Sequence, residues 1–439
     1  MNYISKLFWI FASKAPWKTK IILISQGISK FITRKLGGYD SIESERCRFM
    51  SQLSDLRYLH YYKLTFDFSG GEKRIWFFFN AVDSQFVFGG YIAVLQFIIF
   101  LKYKGHDIGI ITRQKPKNVD KHSLLKEALS GVEVLVVESG SSIRINDEDT
   151  IITYDWVTSY ILLRANRYGN KKIRHYYFCQ EDESVFYPNG SVSSLVDIVQ
   201  KAFITSDIIP IFNSKKLKDY FAKKMSCSRL VDSLYFEQAI PDCLSLQQTY
   251  EANNDRNRIV VYGRPEKHAE RNMFEIVILA LAKAIECDYE LMRDFDYLSL
   301  GSKMFDRLPL SNGVELIMKE KVSYDEYINI LKNSAVVVAL MNAPHPSVPP
   351  FESVRNGIRT VINCGLYERD EKYYNDISNL FYPAYGGIDE IANAIMVAVK
   401  DWKISRSTDS EMVYGHDNIP HPNNWNDSFE MMFTGRVSL

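Results

Sequence analysis

Between Ser84 and Leu101 the chain runs for eighteen residues without a charge, including the string FVFGGYIAVLQFIIFL. A stretch of that length and polarity has two homes: a bilayer, or the interior of a large α/β domain. Two neighbouring features point to the second. Gly89-Gly90 falls where a chain can turn from strand into helix, and Arg74 to Val82 (RIWFFFNAV), just before it, reads as a buried strand. A strand, a glycine turn and an apolar helix covered on all sides form the opening β-α unit of a buried parallel sheet. A membrane span is the alternative that hydropathy alone leaves standing.

The pattern then repeats. Strands are expected at 107–112, 132–137, 150–154 and 173–179, and helices at 120–129, 157–167, 191–201 and 214–224, with short strands between 203 and 212. Residues 236–257, containing Pro241 and the polar run EANNDRN, read as a linker. A second alternation follows, with strands at 258–262, 314–319, 335–341 and 360–364 and helices at 271–286, at 323–332, from Pro350, and at 387–402. Alternation of this kind implies parallel strands with helical crossovers. The fold class is therefore α/β, with two Rossmann-like domains at 41–235 and 258–405 facing across a cleft. A segment 1–40 precedes them, and a tail 406–439 is expected to pack back on the first. Ligands bind at the carboxyl ends of such sheets.

Charge and cysteine usage remove several function classes. The 53 basic and 53 acidic side chains cancel, so the whole-molecule basic field of a nucleic-acid binder is absent. Residues 1–40 nevertheless carry a local excess of six positive charges, interleaved with Leu7, Phe8, Trp9, Ile10, Phe11 and Trp17. Such a segment suits the anionic inner face of a cell membrane, or equally a docking site on the protein itself. Its apolar run from Leu7 to Ala12 is too short for a signal or a span, which places the chain in the cytoplasm, peripheral to the membrane in the first case. The six cysteines form no C-x-x-C pair, against a zinc ribbon or redox dithiol.

Three residues could carry chemistry in the second domain. Arg264, in Tyr262-Gly263-Arg264-Pro265, follows the first strand, where a guanidinium fork can engage two phosphate oxygens; a surface arginine in a Gly-Pro turn is the plain alternative. Lys321 follows another strand end and is either a second cation over the same cleft or a solvated lysine between Glu320 and Asp325. The most specific string is Met341 to Glu352, MNAPHPSVPPFE. Pro349-Pro350 suit the first helical positions and place Glu352 in the first turn, where it can accept from sugar hydroxyls or simply complement the helix dipole. In the first domain Gln180 and Asp182 stand at a strand end, with Asp182 either a general base or a structural acid beside Glu181 and Glu183. The Asp294-Phe295-Asp296 and Asp147-Glu148-Asp149 runs are too short to argue for a metal.

Together these residues resemble a known family. Two Rossmann-like blocks, Gly89-Gly90, YGRP with the RNxFE helix, and the HPSxPPxE string are similar to the GT-B glycosyltransferases of family 4, and within it to the rhamnosyltransferase branch of bacterial surface-polysaccharide (O-antigen) assembly. Tyr176 to Asp182 and Phe186 to Ser191 resemble that branch as well. The resemblance covers roughly Arg74 to Trp402 and implies a retaining, metal-independent hexosyltransferase. It would move a sugar, best matched by L-rhamnose from dTDP-rhamnose, to a growing cell-surface glycan. The first domain would bind a glycan or lipid-linked glycan acceptor and the second the nucleotide sugar, with no cofactor, no metal and no nucleic acid; a homodimer is compatible with it. Arg264, Lys321 and Asp182 would be catalytic. Gly89, Gly90, Gln180, Tyr262, Gly263, Arg264, Lys321, His345, Pro346, Ser347 and Glu352 would line the donor site. Pro344 stands where the wider family has the first of two glutamates, which leaves that glutamate's role vacant. A catalytically inactive binding module and a sugar-nucleotide epimerase of the same architecture are the competing functions. The epimerase needs an acid/base pair, and neither His175 nor His268 offers an obvious one.

Overall fold

The computed structural model describes residues 39–87, 89–187, 190–237 and 256–408, together with Trp425 and Phe429. The basic segment before Tyr39, most of the linker and most of the tail lie outside the described residues. Residues 1–62 and 63–439 form two separate compact units. In the first, the described part is the helix α1 (Tyr39–Tyr61).

The second unit holds two seven-stranded sheets. In the first, β2 (Ile75–Phe79) leads through α2 (Gly89–Tyr103) to β3 (Ile108–Thr112). The chain continues through α3 (Ser123–Leu129), β4 (Glu133–Val136), β6 (Thr150–Thr153), α4 (Trp156–Tyr168), β7 (Arg174–Cys179), α5 (Ser191–Lys201), β8 (Ile209–Asn213), α6 (Lys215–Lys224) and β9 (Tyr235–Phe236). The order is β4-β3-β2-β6-β7-β8-β9, all parallel. Beside it, β1 (Leu64–Asp67) and β5 (Ser141–Arg144) make a separate parallel pair.

Most of the uncharged run 84–101 is α2, a largely buried helix preceded by a 3-10 turn at Ser84–Phe86. Val94, Phe97, Ile98 and Leu101 are fully buried in it. Phe97 meets Phe77 of β2, Phe178 of β7, and Trp425 and Phe429 from the C-terminal tail. At about 25 cal/mol per Å² of apolar surface, such all-round burial is the main stabilising term for an element that has no polar face. Among the described residues no helix is long and apolar enough to cross a membrane.

The second sheet begins at β10 (Arg258–Gly263) and continues through α7 (Phe274–Cys287), α8 (Tyr289–Met292), β11 (Asp296–Gly301), β12 (Arg307–Pro309), β13 (Glu315–Lys319), α9 (Tyr324–Lys332) and β14 (Ser334–Val338). It closes with α10 (Pro349–Arg355), β15 (Arg359–Asn363), α11 (Glu371–Asn375), β16 (Phe381–Ala384) and α12 (Ile388–Thr408). Its order is β12-β13-β11-β10-β14-β15-β16, parallel except for the short edge strand β12. In both sheets the first strand is central and successive strands step away on either side, so the order reverses between β2 and β6 and between β10 and β14. Crevices at such reversals, at the carboxyl ends of the strands, are where open α/β sheets bind ligands.

Several boundaries differ from the sequence reading. Arg256 and Asn257, placed in the linker, are already anchored to the second sheet: Asn257 accepts from the Asp296 backbone and Arg256 is fully buried. Phe236, also placed there, belongs to β9. The helix expected from Arg271 starts at Phe274, because Met273 takes a left-handed backbone (φ 52°) that ends the preceding 3-10 turn, Lys267–Asn272.

Candidate active site

The C-terminal end of β10 delivers Tyr262, Gly263 and Arg264. Gly263 is required by packing, since a Cβ there would approach Phe274 Cδ2 to 2.6 Å. Opposite, Gly301 adopts φ 137° and a Cβ on it would meet Arg264 Cγ at 2.7 Å, so the arginine stem runs through space that Gly301 leaves open. Its Nε is buried and has no hydrogen-bond partner among the described residues.

Lys321 comes from the end of β13 and donates to the backbone carbonyl of Gln85, which belongs to the first sheet's opening unit. Burial and the nearby Arg264 charge lower its pKa. Arg271 is a third member of this group. It stacks over Phe186 at 4.1 Å, and burial and the Arg264 charge lower its pKa too. Three cations thus meet in one region, where like charges raise each other's cost and an anion would relieve it.

The loop after β14 forms the next wall. Asn363 brackets Met341 near its start, accepting from Met341 N at 2.6 Å and donating to Met341 O at 3.1 Å, while Arg369 Nη2 donates to that same carbonyl at 2.7 Å. His345 and Pro346 are buried, and Ser347 sits at φ 71°. Ser347 N donates to His345 Nδ1 at 3.1 Å, so the ring proton belongs on Nε2. Burial and the Arg369 charge push the His345 pKa down to about 3, and the imidazole is neutral at pH 7. Pro349 and Pro350 occupy the first positions of α10 and Glu352 its first turn. Glu352 is buried and accepts from the Tyr327 hydroxyl at 2.9 Å.

From the first sheet, Gly90 at the start of α2 packs on Gln180 at the end of β7; a Cβ on Gly90 would reach Gln180 Oε1 at 2.6 Å. Asn213, at the end of β8 and unremarked in the sequence, donates to that oxygen at 2.9 Å. This leaves Gln180 Nε2 buried and without a partner among the described residues.

The acidic cluster 181–183 separates into distinct roles. Asp182 is 1% exposed and accepts five hydrogen bonds: from Ser184 N (3.1 Å), Ser184 Oγ (2.5 Å), Gln200 Nε2 (2.8 Å), the Tyr220 hydroxyl (2.8 Å) and Lys224 Nζ (2.7 Å). Burial alone would raise its pKa, but the Lys224 charge and these bonds outweigh it and hold the carboxyl below the ordinary range. A general base needs an accessible lone pair, and Asp182 has all of its acceptor capacity committed, so its geometry is that of a structural anchor. Glu181 is the carboxyl that meets the other side of the cleft. Its Oε1 accepts from Asp182 N at 2.9 Å and from His345 N at 3.2 Å, and burial pushes its pKa up to about 8. Glu183 is pushed up to about 8 as well, but it faces inward, accepting from Trp156 N at 2.8 Å. His175 is buried on β7 within hydrogen-bond distance of Thr153 Oγ1 (2.9 Å), away from this group.

The site residues named from the sequence thus fall on the carboxyl ends of both sheets, with Asp182 set behind them. Among the described residues no three His, Cys, Asp or Glu side chains are grouped as metal ligands would be. Residues 257–396 match the family model of the WsaF C-terminal domain. No curated protein sequence matches the chain. Solved structures similar to it include a sucrose-phosphate synthase from Thermosynechococcus elongatus, at 14% identity over 83% of this chain and 98% of that one, with a TM-score of 0.53. WaaG, a glycosyltransferase involved in lipopolysaccharide biosynthesis, is 11% identical over 82% of this chain and 100% of that one, with a TM-score of 0.51. A trehalose-6-phosphate structure from E. coli bound with UDP-2-fluoro glucose is 12% identical over 83% and 100%, also at 0.51. The chain has the two-domain α/β architecture of the GT-B glycosyltransferase structures.

Proposed function

We propose that this protein is a glycosyltransferase that takes a sugar from a nucleoside diphosphate donor, in the manner of the family 4 rhamnosyltransferase branch, and adds it with retention to a growing surface glycan. The observation that carries this reading is the meeting of Arg264 and Lys321, with Arg271 beside them, at the reversal point of the second sheet. Departure of a nucleoside diphosphate builds negative charge on the β-phosphate, so preplaced cations stabilise the transition state more than the ground state. The charge that a divalent metal would supply is then provided by the chain itself. Glu352, fixed by Tyr327, suits the ribose or deoxyribose hydroxyl, and the amide N–H of Gln180 suits an oxygen of the transferred sugar or the acceptor. Of the carboxyls near the cleft we assign Glu181, in place of Asp182, as the one whose protonation state the reaction senses. The dTDP-rhamnose donor, the lipid-linked acceptor and attachment to the inner membrane face through residues 1–40 belong to the same proposal.

The test is donor binding and turnover in parallel. A ligand bound only by the folded state raises the unfolding temperature in proportion to its affinity. Nucleoside diphosphates should therefore stabilise the wild type, and Arg264→Ala and Lys321→Ala should each lose that response together with about 2 to 4 kcal/mol of transition-state stabilisation. Glu352→Gln should weaken donor binding by about 1 to 3 kcal/mol and keep turnover at saturating donor. Full turnover in both cation variants would sink the proposal.

A further inference from the structure

A cavity of about 730 Å³ lies on the first sheet, lengthwise along its edge strand β4. Its charged end is formed by Arg74, Asp107 and Glu133, which stand at the amino ends of β2, β3 and β4. The opposite, carboxyl ends of these strands, about 16 Å away for a five-residue strand, face the cleft whose far side carries the proposed donor site on the second sheet. The register sets Gly109, Glu133 and Leu135 on the face of Trp76, opposite the face whose Phe77 packs on α2. Among the described residues no helix lines the cavity; the floor is Trp76, and the far wall is the loop and strand that contain Ile143 and Ile145.

The lining is organised in advance. Arg74 donates to Asp107 at 2.7 Å and to Glu133, and its guanidinium lies 5.0 Å from the centre of the Trp76 ring. Asp149 fixes the indole, accepting from Trp76 Nε1 at 3.0 Å and from Arg74 N at 2.7 Å. Gly109 makes the indole's position possible, since a Cβ there would collide with the ring. Asp107 and Glu133 each engage Arg74 through one oxygen, which leaves a second oxygen on each to accept from a ligand. Leu135 is the partly exposed aliphatic side chain of this lining, while Ile143 and Ile145 are almost fully buried.

This chemistry selects among ligand classes. A phosphorylated ligand meets four carboxylates, Glu72, Asp107, Glu133 and Asp149, against Arg74 and Arg144. A polycation must displace Arg74 from the two carboxylates that already neutralise it. A neutral ring compound carrying many hydroxyls meets neither penalty: its hydroxyls donate to carboxylate oxygens and one C–H face covers Leu135. We infer that this cavity is a saccharide-binding site that holds a neutral oligosaccharide portion of the glycan being extended, remote from the bond being made. The substrate class rests on the proposed transferase reading. A hold of this kind would keep a growing chain associated between additions, as a second contact on one ligand raises its effective concentration at the first.

The test uses saturation-transfer NMR of the full chain with a neutral L-rhamnose trisaccharide and with maltotriose. Thermal shift with thymidine and uridine diphosphate is read on the same samples. The wild type is expected to bind at least one trisaccharide. Leu135→Trp, which fills part of the cavity, and Asp107→Asn, a milder change at an exposed strand end, are expected to weaken that binding at least tenfold with the nucleotide shift unchanged. Trisaccharide binding that persists in both variants overturns the site. So does a wild type that responds to a nucleoside diphosphate and to neither trisaccharide, and that result leaves the donor assignment standing. A wild type that binds the trisaccharide through this cavity yet ignores every nucleotide overturns the donor assignment and keeps the cavity.

Discussion

Asp182 and Glu181 are adjacent in sequence, equally acidic in composition and driven in opposite directions by their surroundings. Asp182 faces Lys224 and four further donors, so folding lowers its pKa; its contribution is present above about pH 4, the unfolded value, and is lost as the pH falls below it. Glu181 is buried, and that burial outweighs the Arg271 charge and the bonds it accepts, so folding raises its pKa to about 8. Between about pH 4.3, the unfolded value, and pH 8 the unfolded chain releases a proton that the folded one keeps, so this group costs stability increasingly as the pH rises through that window. Glu181→Gln preserves the acceptor for Asp182 N and His345 N, and should match the wild type in unfolding temperature at pH 4 and exceed it at pH 8. Asp182→Asn strands Lys224 and should lower stability by about 3 kcal/mol in urea unfolding at pH 7, at the low end for a broken buried pair because Lys224 is 31% exposed. Strand-end position brought Asp182 to notice in the sequence, with Glu181 only as its acidic neighbour. Which of them faces the cleft depends on α6 and the His345 loop, elements some 40 and 160 residues away, and no local pattern encodes that.

At the level of elements, the second sheet depends on an arginine that reads as part of a linker. Arg256 is fully buried, and its guanidinium donates to Lys332 O (3.0 Å), Gly357 O (3.1 Å) and Asn356 O (3.2 Å). Those carbonyls lie at the C-terminal ends of α9 and α10, where backbone acceptors have no partner in their own helix. One side chain therefore closes two helices, one of which presents Glu352 and the other Tyr327. Arg256→Met keeps the aliphatic stem and removes the donors, and should cost about 3 kcal/mol or more in denaturant unfolding, since several buried acceptors lose charged partners together. If Arg256→Met unfolds at the wild-type midpoint, the clamp carries no stability. The elements that sequence periodicity missed have recognisable causes. β12 ends at Pro309 and β16 contains Pro383; both are edge strands, where a missing N–H is tolerated but the sequence signal is weak. β11 begins at Asp296 in an acidic run and is interrupted by Ser299, so its apolar pattern is short. The long buried strands and the apolar helix α2 were legible because their burial on both faces leaves no polar residue to confuse the pattern.

At the scale of the whole molecule, alternation alone was enough to indicate two parallel sheets, and the rule that ligands sit at strand carboxyl ends located the cations. The contacts that join the two sheets were not legible, because each pairs residues far apart in the chain: Glu181 with His345, Phe186 with Arg271, Lys223 with Glu368, Gln85 with Lys321. These contacts fall into two kinds with different responses to salt. Lys223–Glu368 is exposed on both sides, at 76% and 56%, and like most surface pairs should add about 1 kcal/mol at most. The region around Arg264, Arg271 and Lys321 is partly buried and carries an excess of like charge, while the formal net charge of the chain is zero. Added salt should therefore act on donor capture far more than on folding. Raising the ionic strength from about 0.05 to about 0.5 M shortens the screening length to a few Å, and should raise the dissociation constant of a nucleoside diphosphate several-fold. The unfolding temperature of the unliganded protein should move by only a few degrees, because its exposed ion pairs contribute little and the cation region gains from screening what those pairs lose. Calorimetric titration with thymidine diphosphate beside thermal unfolding, at both salt concentrations, separates the two responses. A nucleotide affinity that ignores salt would mean that the diphosphate is not held by this charge cluster, and the assignment of Arg264 and Lys321 would fall with it.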